Sequence, residues 1–77
     1  MKNFQIKSVF EQISTQVFIM TNVVSAKTYI SNFLSETKIN EIDKKGILFK
    51  VNGCRSMFQL QNYLCNSLLK YEGMSVN

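Results

Sequence analysis

The sequence predicts an α+β fold, in which a two-stranded sheet is covered by three helices in the order β-α-α-β-α. Residues 3–7 and 47–51 alternate between apolar and polar side chains, which is typical of strands with one face on the core. Gly46 and Gly53 bound the second run. Neither strand is stable alone, so we expect the two to pair. The alternative is a mainly α domain. The 77 residues allow one small domain over 1–77.

The first helix is predicted over residues 9–21. Ser8 and Glu11 have the S-x-x-E spacing of a capping box, in which each side chain accepts a hydrogen bond from a backbone N–H that the helix leaves free. Apolar residues then recur at helical spacing and form one stripe: Val9, Phe10, Ile13, Val17 and Met20. Residues 16–21 also fit a strand, and the sequence leaves that choice open.

Two further helices are predicted from their start signals. Ser25 is expected to cap a helix that buries Ala26, Tyr29, Ile30, Phe33 and Leu34. Ser56 and Gln59 form a second capping box, which predicts a helix over 57–71 that ends at Gly73.

The composition argues against an enzyme. The chain has no histidine, which removes the usual general base near neutral pH and the imidazole ligand of most metal sites. A serine or cysteine nucleophile would therefore lack a histidine to activate it. The three glycines are isolated, so the sequence contains no glycine-rich phosphate loop. We expect no catalysis, no cofactor or metal, and no small-molecule substrate.

The chain is expected to be soluble and cytoplasmic. Residues 12–26 carry no charge but contain several Gln, Ser and Thr side chains, whereas a spanning helix needs about 20 mostly apolar residues. A signal peptide needs a denser apolar stretch, so we expect neither a membrane segment nor a targeting signal. Cys54 and Cys65 form no disulfide framework, and we expect free thiols in a reducing compartment.

One stretch of the chain is basic. Lys44, Lys45, Lys50 and Arg55 lie within twelve residues of each other, and no acidic residue follows Asp43 in that stretch. Such a run can bind phosphate groups or an acidic protein surface. Solvated lysines on a loop and a strand edge explain the same run without any ligand. The sequence does not decide between these interpretations.

The exposed side of the first helix carries the second candidate surface. A helical wheel turns 100° per residue and places Phe18 opposite the apolar stripe, with Ile19 on its other flank. Two bulky apolar residues beside an uncharged Gln and Thr surface are typical of an interface. We expect this surface to meet a protein partner or a second copy of the chain.

These observations favour a small non-catalytic protein-binding module: an inhibitor, a regulator or an accessory subunit. The predicted partner-binding residues are Phe18, Ile19, Lys44, Lys45, Lys50 and Arg55. Small size, missing catalytic groups and residue usage typical of AT-rich genes also fit an accessory protein of a phage or mobile element. The alternative is a small basic DNA- or RNA-binding regulator that uses the four cations.

Overall fold

Four α-helices form the fold. A computed structural model describes the backbone of residues 2–76 and the side chains of residues 6–71. In chain order the helices are α1 (Lys2–Val17), α2 (Val23–Glu36), α3 (Glu41–Gly53) and α4 (Met57–Val76). Residues 2–76 contain no strand, so the predicted α+β fold and its two-stranded sheet are wrong. The domain is a small all-helical one, the class kept as the alternative.

The first predicted strand, 3–7, is the beginning of α1. Ile6 is buried together with Val9 and Phe10, so the apolar stripe of the helix already starts at Ile6. Ser8 therefore lies inside the helix rather than at its cap, and its hydroxyl accepts a hydrogen bond from the side chain of Gln12 at 3.2 Å. The helix ends at Val17, four residues earlier than predicted.

The second predicted strand, 47–51, lies within α3. Asn40 caps this helix, because its side chain accepts hydrogen bonds from the backbone N–H groups of Ile42 at 2.8 Å and Asp43 at 3.2 Å. Ile47 and Val51, one helical turn apart, are buried. Alternation would have put Phe49 in the core with them, but Phe49 is exposed. The helix also continues through Gly46, which was expected to bound a strand.

The starts of α2 and α4 differ in how well the sequence predicts them. Asn22, not Ser25, caps α2, and its side chain accepts a hydrogen bond from the backbone N–H of Ser25 at 3.0 Å. The Ser56 half of the predicted capping box at α4 is confirmed, because the Ser56 hydroxyl accepts from the N–H of Gln59 at 3.2 Å. The Gln59 side chain in turn accepts from the N–H of Arg55, one residue before the cap. The helix continues past the predicted end, to Val76.

All four helices contribute to one core. Among the described side chains, the buried apolar residues are Ile6, Val9, Phe10, Ile13, Val17, Ala26, Ile30, Leu34, Ile39, Ile47, Val51, Cys54, Leu60 and Leu64. Phe10 of α1 lies between Tyr63 and Tyr71 of α4, with 5.9 Å between its ring centroid and each of theirs. Within the described part of the chain, none of the helices combines the length and the apolar character needed to cross a membrane.

Candidate functional site

The outward surface of α3 carries two of the most exposed large apolar side chains. Ile42 is 79% exposed and Phe49 is 77% exposed. Gly46 and Gly53 share their side of the helix, since spacings of four, seven and eleven residues fall within about 60° of arc. The buried Ile47 and Val51 lie on the opposite side. We refer to Ile42, Gly46, Phe49 and Gly53 as the α3 face.

Neither glycine of the α3 face is needed by the packing of the chain itself. A Cβ atom added at Gly46 or Gly53 would meet nothing within 4 Å, apart from the neighbouring helical backbone. No glycine of the described backbone has a positive φ, so neither backbone position demands glycine. A glycine inside a helix is less stable than alanine by about 0.5–1 kcal/mol. Gly46 therefore lowers stability and leaves an empty notch beside Phe49.

A groove adjoins the α3 face, between α3 and α4. Its wider part encloses about 580 Å³ and is lined by Phe49, Lys50, Asn52, Gly53, Cys54, Gln59 and Tyr63. A second depression of about 250 Å³ lies beyond, and Lys50 and Tyr63 line both parts. Burial raises the pKa of the Tyr63 hydroxyl above its ordinary value. In the described lining Asp43 is the only carboxylate, so the groove extends an apolar surface rather than building a pair of acid and base groups.

The two ends of α3 carry opposite charges. Glu41 and Asp43 lie in its first turn, and Lys50 lies in its last turn. Each charge is favourable where it lies, because the N-terminal end of a helix is partially positive and the C-terminal end partially negative. One carboxylate oxygen of Asp43 is buried and has no hydrogen-bond partner among the described residues.

The predicted basic run does not form one surface. At 100° per residue, Lys44, Lys45 and Lys50 point in directions spread over about 220° around α3. The Lys44 ammonium is 3.7 Å from the Glu41 carboxylate, and the Lys44 side chain is only 17% exposed. Arg55 lies in the connection between α3 and α4, after the helix has ended. The four cations are therefore neighbours in sequence without sharing a face.

Phe18 and Ile19 lie on the connection between α1 and α2 rather than on a helix. They form the turn that follows Val17, so within residues 16–21 the helix stops after the second residue, and none of these residues is in a strand. Phe18 is 49% exposed and Ile19 is 77% exposed. Val24, at the start of α2, is also exposed. Their role in binding a partner stays a prediction.

Sequence reasoning missed the α3 face because it assigned residues 47–51 to a strand. That assignment placed Phe49 on the core side, and Ile42 was not assigned to any interface. The signal that could have found the face is the Asn40 cap, followed by Ile47 and Val51 at helical spacing. On a helix with that buried side, Ile42 and Phe49 necessarily point outward.

Comparison with protein-family models, with curated proteins and with solved structures found no match to this chain. Among the residues that the structure describes, no three side chains of the types that bind metals come together as a group.

Proposed function

We propose that the chain is a non-catalytic protein-binding module, acting as a regulator, inhibitor or accessory subunit, and that the α3 face is its contact surface. The observation that carries this proposal is the pairing of exposed apolar side chains with glycines that the fold does not need. Ile42 and Phe49 gain nothing from the core, and Gly46 costs helix stability. In an interface, the two apolar side chains would be buried and the glycine would leave room for a side chain of the partner.

The energetics of burial support the proposal. Complete burial of an isoleucine or phenylalanine side chain stabilises by about 1.5–3 kcal/mol. Most of the surface of Ile42 and Phe49 is exposed, so most of that stabilisation becomes available only when a partner buries them. A few central aromatic and aliphatic anchors commonly dominate the binding energy of an interface. The α3 face has that composition.

The spacing of the α3 face favours a helical partner. Its four residues follow the spacing i, i+4, i+7 and i+11. Residues with this spacing line the contact between two packed helices. Alternating large residues and glycines lets the side chains of one helix enter gaps in the other. A glycine at such a seam also allows the two backbones to approach closely, as in pairs of packed helices with small residues at the contact.

Site-specific photo-crosslinking in the native cells tests this proposal. A photo-reactive phenylalanine derivative replaces Phe49 in one variant and Phe58, which is 75% exposed on α4, in the control. We expect discrete protein adducts from position 49 and none of those adducts from position 58. Equal adducts from both positions, or no adduct from position 49, would contradict the assignment of the α3 face.

A further inference from the structure

We propose that the protein bound at the α3 face is a second copy of this chain, with the two α3 helices packed antiparallel around a two-fold axis. This inference rests on the proposed function, because it names the partner of the same surface. It follows from two independent properties of α3, its shape and its distribution of charge.

The α3 face is complementary in shape to itself when one copy is reversed. A two-fold axis placed between residues 47 and 48 brings Phe49 opposite Gly46 of the partner subunit. The same axis brings Ile42 opposite Gly53 of the partner subunit. Each bulky side chain of one copy thus meets a glycine of the other, and the space at both glycines is empty in the single chain. A two-fold interface requires this kind of self-complementarity.

The charges of α3 favour the same antiparallel orientation. Asp43 and Lys50 are seven residues apart and lie on the same flank of the α3 face. In an antiparallel two-fold pair the same flanks meet, so Asp43 comes beside Lys50 of the partner subunit, and symmetry repeats this pair. A parallel pair would instead place the acidic ends of α3 side by side.

The size of the surface predicts a weak dimer. The 13 residues of α3 span about 20 Å, so this helix alone provides a small interface. Interfaces at the low end of the size range are typical of transient association. We therefore expect a dissociation constant on the order of 10 µM.

A charge exchange between two full-length variants tests both the partner and the orientation. In Asp43→Lys the two symmetry-related pairs become Lys–Lys, and in Lys50→Asp they become Asp–Asp. In a mixture of the two variants, every such pair again joins opposite charges. Sedimentation equilibrium should show each variant alone dimerising at least about tenfold more weakly than the unmodified chain, and the equimolar mixture recovering to within about threefold.

Three outcomes would overturn the proposal. One is an unmodified chain that stays monomeric at about 1 mM. Another is a pair of variants that dimerise as well as the unmodified chain. The last is a mixture that does not recover although both variants keep the helical circular dichroism of the unmodified chain. If the chain is monomeric but position 49 still crosslinks to another protein, the second-copy proposal fails and the protein-binding function stands.

Discussion

Phe49 and Gly46 lie one helical turn apart on the outward side of α3, and the space beside Gly46 contains no atom that a methyl group would displace. An exposed aromatic ring beside an empty notch has no role in the packing of the single chain. We assign this pair to contact with another protein.

Gly46→Ala should separate folding from association. Because the added methyl group meets open space in a helical position, the free energy of unfolding should rise by about 0.5–1 kcal/mol. The same methyl group occupies the notch that the partner's Phe49 is proposed to enter, so dimerisation should weaken. Urea unfolding and sedimentation equilibrium measure the two effects. A variant that gains stability and dimerises unchanged would show that the notch has no role in binding.

Phe49→Ala and Phe10→Ala should differ sharply in stability. Phe49 is exposed, so its truncation should change the free energy of unfolding by no more than about 0.5 kcal/mol. Phe10 is buried between Tyr63 and Tyr71, and its truncation should cost about 3–5 kcal/mol. Chemical denaturation of both variants gives the comparison. A large loss of stability in Phe49→Ala would mean that this ring belongs to the core after all.

Asn40→Ala should destabilise the fold, since it removes the side chain that caps α3. The expected loss is about 1 kcal/mol of unfolding free energy. Asn52→Ala is the matched control, because Asn52 is an exposed residue of the same helix. The hydrogen bond that Lys27 donates to Asn52 uses the backbone oxygen and survives that change. Equal effects of the two substitutions would remove the role assigned to the cap.

Phe18→Ala tests the surface predicted from the sequence on the α1–α2 connection. Phe18 is about half exposed, so its truncation should leave the domain folded. If this turn also contacts a partner, association should weaken in Phe18→Ala while the melting temperature changes little. Loss of the fold with no change in association would remove Phe18 from the interface.

The basic residues predict how the chain behaves with nucleic acid. Lys44, Lys45, Lys50 and Arg55 do not share a face, so we expect only weak binding that falls steeply with salt, because phosphate contacts release counterions. Fluorescence anisotropy with a DNA duplex, for the unmodified chain and for the variant with all four residues changed to Gln, measures this. Tight binding at about 0.15 M salt that the Gln variant loses would favour the nucleic-acid alternative.

The sequence predicted helices best where apolar spacing and a cap agreed. Ser56 and Gln59 define the start of α4 because their hydrogen bonds form only at a helix start. The buried stripe of α1 was also predicted from its spacing. The start of α1 was predicted wrongly from Ser8, because an S-x-x-E pattern inside a helix cannot be distinguished by sequence from one at the N-terminal end.

The residues of α3 show why the remaining part of the fold was wrong. Ile47, Phe49 and Val51 alternate as in a strand, but Ile47 and Val51 are also one helical turn apart. A run of five residues is too short to distinguish the two-residue period of a strand from the 3.6-residue period of a helix. The cap at Asn40 is the signal that favours the helix. The candidate site was missed for the same reason. Its residues share a face only when 41–53 is helical.

Isotope-filtered nuclear Overhauser spectroscopy on an equal mixture of labelled and unlabelled chains tests the central claim most directly. The filter is needed because Phe49 and Gly46 are already neighbours within one chain. At about 1 mM protein we predict intermolecular contacts between the Phe49 ring and the Gly46 α protons, and between the Ile42 methyl groups and the Gly53 α protons. A sample that dimerises at this concentration but shows its intermolecular contacts on another helix, or one that shows none at all, would contradict the claim.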